Sequence, residues 1–195
     1  MPKSSEPTRE RILKAAYRQF RRQGFTRVGV DEIAAAANVT KRTLYYHFKS
    51  KDDLLAAVLE SQHQMAVAAF RTFGDSLTGT PEEIVEAMFD QIVVWSSQPR
   101  WAGSGFTRLA MELADMPGHP ARRLAKRHKA ILEECLVEIL QKANVPAARE
   151  RAREVWLLSE GAISLVLIHG DPRYAKAAGE AAKRIVASTA KLRRR

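Results

Sequence analysis

Proline punctuates this chain in a way that leaves little room for anything but helices. No proline lies between Pro7 and Pro81, and Pro99, Pro117, Pro120, Pro146 and Pro172 divide the rest into segments of helix length. Proline is excluded from helix interiors because it lacks an N–H and clashes with the preceding turn. Each interval between prolines is therefore free to hold a helix. No run alternates apolar and polar positions with β-branched side chains, the pattern of a half-buried strand. The expected fold class is all-α, with about nine helices.

Local signals place them. Thr8 is the expected N-cap of the first helix, whose apolar stripe is Ile12, Ala16 and Phe20, and Gly24 stops it. Gly29 with Glu32 opens a short second helix, and Asn38 suits a tight left-handed turn. Thr40 caps a third helix over Lys41–Phe48. Ser50 caps a long fourth that runs to about Phe73, where Gly74 and Gly79 open a loop. Thr80-Pro81-Glu82-Glu83 joins a cap, a first-position proline and a third-position glutamate, and starts a fifth helix. Three more are expected over 103–115, 120–143 and 146–170, and Asp171-Pro172 opens a ninth that ends near Leu192.

Charge is concentrated at one end. The formal net charge is +10, and residues 1–51 hold twelve of the 32 basic residues against four of the 22 acidic ones. A basic excess confined to the first quarter points to a polyanion bound there. The single cysteine, Cys135, excludes an intrachain disulfide and a cysteine-rich zinc site, and a reducing cytoplasm is the expected location. No signal peptide is expected, and the longest strongly apolar stretch, 161–170, is about half of what a bilayer requires.

The second and third helices, joined by a tight turn and backed by the first, have the layout of a helix-turn-helix at about residues 30–48. At about 100° per residue, Leu44 and Phe48 face inward, while Arg42, Thr43, Tyr45 and Tyr46 face outward. Lys41 sits at the helix start, where its stem can swing toward a groove. Arg and Lys suit guanine edges and Thr a base or a phosphate, whereas Tyr hydroxyls, His47 and Lys51 suit phosphates.

Residues 8–60 resemble the N-terminal domain of the TetR family of bacterial transcription regulators. The resemblance is carried by Ile12-Leu13-Lys14-Ala15-Ala16, Phe20, Gly24-Phe25, Val30 to Val39, and Thr40-Lys41-Arg42-Thr43-Leu44-Tyr45-Tyr46-His47-Phe48-Lys49-Ser50-Lys51-Asp52-Asp53-Leu54. One departure is Gly29, where the family has Thr or Ser as cap. The resemblance implies a DNA-binding domain over 1–50 and a helical ligand-binding and dimerisation domain over 51–195, beginning with the connecting fourth helix. It implies a homodimer on a palindromic operator, most often a repressor, released when a small molecule shifts helix 4. Carried over by position, the DNA contacts are Thr40, Lys41, Arg42, Thr43, Tyr45, Tyr46, His47 and Lys51. Lys41, Arg42 and Thr43 are assigned to bases, the others to phosphates.

The second domain is less explicit. Helices near 146–170 and 172–192 are apolar on several sides and rich in small residues, as a dimer interface needs. Aromatic and soft residues gather in helices 5–8, and a largely apolar effector pocket with polar anchors is expected from Phe89, Trp95, Trp101, Phe106, Met111, His128, Trp156 and Glu160. The five histidines include no pair at i, i+4, so no metal is expected. No glycine-rich phosphate loop or nucleophile elbow is present, so neither enzyme chemistry nor a cofactor is expected. The basic residues lie on a unit with its own core rather than on a lipid-seeking stripe, so a membrane partner is not expected.

Overall fold

The computed structural model describes residues 7–187. Those residues form nine helices and no strand: α1 Thr8–Gln23, α2 Val30–Ala36, α3 Lys41–His47, α4 Lys51–Ser76, α5 Pro81–Ser96, α6 Gly105–Glu112, α7 Pro120–Lys142, α8 Ala148–His169 and α9 Arg173–Ala187. The expected extension of the ninth helix to Leu192 falls outside the described residues.

The chain divides into two compact units. The first contains the residues up to Ala66 together with Gly105–His128, and the second contains Val67–Ser104 with the residues from Lys129 onward. The first unit is therefore built from two stretches distant in sequence. Its core joins Ile12, Ala16 and Phe20 of α1, Ile33 of α2, Leu44 of α3 and Leu54 of α4 to Phe106 and Leu109 of α6 and Ala121 and Ala125 of α7. Burying a Leu, Ile or Phe side chain contributes roughly 1.5–3 kcal/mol, so α6 is part of what holds this unit together. The second unit packs Val85 and Phe89 of α5, Leu136 and Leu140 of α7, Val155 and Val166 of α8, and Ala182 and Val186 of α9.

Several caps follow the sequence signals. The Thr80 hydroxyl accepts from Glu83 N–H at 3.3 Å while the Glu83 carboxylate accepts from Thr80 N–H at 2.7 Å. Ser50 accepts from Asp53 N–H at 3.0 Å, and Asp171 accepts from Arg173 N–H at 2.9 Å. Asn38 adopts φ 53°, as its turn requires.

Two of the sequence signals act differently from expectation, and α6 is shorter at both ends than the expected 103–115. Thr8 is not the cap of α1. Pro7 takes that place with a non-helical ψ of 138°, and its carbonyl accepts from Glu10 and Arg11 N–H, so Thr8 enters the helix as its first residue. Gly74 does not end α4, which continues to Ser76. A Cβ at Gly74 would lie 2.7 Å from Ile139 Cδ1, so this glycine serves close helix packing rather than a turn.

Candidate nucleic-acid interface

Helix α3 is seven residues long and has two unlike sides. Leu44 is fully buried and Phe48, which caps its C-terminal end, is 2% exposed. Arg42, Tyr45 and Tyr46 are exposed, Tyr46 at 85%. The Tyr46 ring is thus held open to solvent on a short helix anchored from behind. The N-terminal end is fixed by Thr40, whose hydroxyl accepts from Thr43 N–H at 3.0 Å and shares a hydrogen bond with the Thr43 hydroxyl at 2.8 Å. Thr40, Lys41, Arg42 and Thr43 thus lie together at the start of the helix. Tyr46 and His47 lie together at its end, their rings edge to face at 5.2 Å.

The cations differ in how free they are. Arg42 has no hydrogen-bond or ion-pair partner among the described residues. Lys41 Nζ lies 3.1 Å from Asp31 Oδ2, with both side chains mostly in solvent, so that pair is weak and exchangeable. Lys51 is turned further inward. Its ammonium donates to the Thr26 carbonyl at 3.4 Å and stands 4.4 Å from the centre of the Phe25 ring. Burial pushes its pKa below the ordinary lysine value, against the opposing pull of Asp52 and Glu112. One further cation, unmarked by the motif, reaches this end of the helix. The guanidinium carbon of Arg9 lies 5.1 Å from the centre of the Phe48 ring. No periodicity links positions 9 and 48, so only the folded chain brings them together.

The turn leading into α2 is held from α6. Glu112 accepts from Phe25 N–H at 3.0 Å, from Thr26 N–H at 2.7 Å and from the Thr26 hydroxyl at 2.6 Å. Burial raises the Glu112 pKa, but these hydrogen bonds and nearby Arg108 outweigh it and hold the carboxyl below the ordinary glutamate range. Glu112 thereby secures the turn before α2.

The expected effector residues are divided between the two units. Phe106 and His128 belong to the first unit, stacked at 3.7 Å and 16°, and His128 Nδ1 lies 3.0 Å from His63 Nδ1. Met111 also belongs to the first unit and is 66% exposed, in contrast to the enclosure expected of it; its side of α6 faces solvent, not the core. In the second unit Phe89 is 2% exposed within the core. Trp95 and Trp101 meet edge to face at 5.4 Å. Trp101 also lines a groove of about 360 Å³ with Val93, Ser96, Val166 and Leu167, and its buried indole N–H has no partner among the described residues. Trp156 and Glu160 are gathered by Lys129, whose ammonium lies 2.5 Å from Glu160 Oε1, 3.1 Å from Ser104 Oγ and 5.7 Å from the centre of the Trp156 ring. Among the described residues, no three potential metal ligands cluster, and no helix is long and apolar enough to cross a membrane.

Residues 12–58 match the family described as bacterial regulatory proteins, tetR family. The HTH-type transcriptional regulator SrpR of Pseudomonas putida is 37% identical over 89 residues, which cover 45% of this chain and 41% of SrpR. The HTH-type regulator YerO of Bacillus subtilis is 34% identical over 77 residues, 40% of this chain and 27% of YerO. The matched stretches span less than half of either relative. The fold match runs much further. SCO4454, a TetR-family transcriptional regulator from Streptomyces coelicolor, superposes with a TM-score of 0.81 at 27% identity, covering 93% of this chain and 95% of that one. Reduced Escherichia coli NemR has the same fold, with a TM-score of 0.81 over 92% of this chain at 20% identity.

Proposed function

This chain belongs to the TetR family of bacterial regulatory proteins, and from that premise we propose that it is a ligand-responsive transcriptional repressor. It binds a palindromic operator as a homodimer and leaves it when a small, largely apolar effector binds. The observation that carries this reading is the open face of α3, where Arg42, Tyr45 and Tyr46 stand in solvent above a buried Leu44 and Phe48. A short helix locked from behind can enter the major groove without reorganising. Lys41, Arg42 and Thr43 then read base edges, and Thr40, Tyr45, Tyr46, His47 and Lys51 hold phosphates, with one donor of Lys51 left on Thr26. DNA binding belongs to residues 1–50 together with Lys51 at the start of α4, and effector binding and dimerisation to the rest of 51–195.

Dimerisation is supported by α8. Leu157 is 67% exposed, Leu165 39% and Ile168 71%, and exposed Gly161 lies between them on the same helical face. A row of large apolar side chains in water is the surface a twofold partner removes from solvent. Effector binding is supported by the aromatic groups of the second unit, above all Trp101, whose buried indole N–H has no partner among the described residues, and Trp156 beside Lys129 and Glu160.

Selection of bound sequences from a random duplex library, at stated salt, tests the reading. A palindrome whose half-site centres lie about one helical turn apart, or a multiple of it, is expected. Salt-sensitive binding to every duplex with no enrichment would overturn the specific-operator reading.

A further inference from the structure

The two lysines that the helix-turn-helix offers to DNA are both partly engaged within the protein, Lys41 by Asp31 and Lys51 by Thr26 and Phe25. A different cation stands where α3 ends. Arg9, in the first turn of α1, holds its guanidinium over the ring of Phe48, 5.1 Å from the centroid. Phe48 is 2% exposed and follows directly on His47, so the ring is a fixed platform rather than a mobile surface group. Arg9 itself is exposed, and no hydrogen bond or ion pair engages it among the described residues. Two other cations of the same helix are occupied: Lys14 pairs with Glu10 at 3.5 Å, and Arg21 donates to the Tyr17 hydroxyl at 3.2 Å.

We propose that Arg9 is a DNA-backbone contact, a phosphate clamp from α1 that lengthens the footprint of α3 beyond the helix-turn-helix motif. The proposal rests on the reading of α3 as the DNA-facing helix. Attraction between the guanidinium and the ring face restricts where Arg9 can be, while its N–H groups stay available for other partners. A phosphate fits that vacancy because arginine can give it two parallel charge-assisted hydrogen bonds. Prior placement over Phe48 lowers the side-chain ordering that binding requires. The location is also suitable: exposed Tyr46 and adjacent His47 mark the same end of α3, where backbone contacts flank those to bases.

The test compares salt titrations of wild type, Arg9→Ala, Arg9→Lys and Lys14→Ala. Two probes are used, a duplex enriched by selection with the wild-type protein and a mixed-sequence duplex of equal length. Arg9→Ala is expected to lower the slope of log affinity against log salt by about one unit on both duplexes. It should weaken binding several-fold near 0.1 M salt and leave the thermal midpoint within a degree or two. Arg9→Lys, which keeps the charge but not the planar stack, should fall between wild type and alanine. Lys14→Ala should leave the slope unchanged. An unchanged slope in Arg9→Ala, or an equal loss in Lys14→Ala, would overturn the clamp. Failure of the wild-type protein to bind either duplex would instead overturn the reading of α3.

Discussion

The carboxylate of Glu112, at the end of α6, accepts hydrogen bonds from the backbone N–H groups of both Phe25 and Thr26, 86 or 87 residues earlier in the chain. Those amides precede α2, so the entry of the helix-turn-helix is fixed by a residue outside it. Glu112→Gln keeps an acceptor but loses the charge, and is expected to cost about 1–2 kcal/mol at pH 7. The effect depends on pH with a definite sign. Because hydrogen bonding holds the folded-state pKa below the ordinary value, the wild-type advantage is complete above that value, about 4.3. It fades as pH falls through the ordinary value and then the folded one. Urea midpoints of the two proteins should begin to converge only as pH falls below about 4.3; a gap independent of pH would remove the charge from the account.

Gly24 is the second half of this arrangement. Its φ of 90° and ψ of 163° lie in a region that is essentially restricted to glycine. A Cβ there would stand 2.9 Å from Glu112 Oε1. Gly24→Ala is therefore expected to destabilise by about 1–3 kcal/mol from backbone strain and to loosen the Glu112 bonds as well. Hydrogen exchange should report faster exchange at Phe25 and Thr26; unaltered protection there would mean that the turn tolerates the methyl group.

Arg42 tests base readout. It is exposed on α3 and unpaired among the described residues, so alanine removes no internal contact. Arg42→Ala should cost about 1–3 kcal/mol on the preferred duplex and relax the sequence preference at one position of each half-site. Equal weakening on all duplexes would reassign Arg42 to the backbone.

Ile168 tests association. At 71% exposure it carries no core packing, so Ile168→Asp should leave the fold of one chain intact. Sedimentation of wild type and variant at the same concentration should show a dimer turned into a monomer. A variant that remains dimeric would move the interface off this face of α8.

How far the sequence spoke depended on the range of the interaction. Thr80, Glu83, Ser50 and Asn38 act on neighbours within a few residues, and their roles were legible. The two sides of α3 were legible as well, since one rotation angle separates Leu44 and Phe48 from Tyr46. Gly74 looked like a helix end because nothing local announces Ile139. Phe106 and His128 read as pocket aromatics, but α6 and the start of α7 close the core of the first unit, and the two rings stack there. Glu112, Lys51 and Arg9 are defined by partners at 112 to 25, 51 to 26 and 9 to 48, separations at which helical periodicity carries no information.

The composition of the first unit also sets a timetable for synthesis. A ribosome adds about 5–20 residues per second, and domains tend to fold as they emerge. Here the first three helices are made early, but Phe106, Leu109, Leu113 and Ala121, which complete their core, come from 105–128. For several seconds the nascent basic segment has Ile12, Phe20 and Leu44 without their full cover. The first three helices thus reach their full packing only once more than half of the chain has been translated. An mRNA cut short before the codon for Glu112 would yield a product that carries the whole recognition helix but lacks the buttress that fixes its approach.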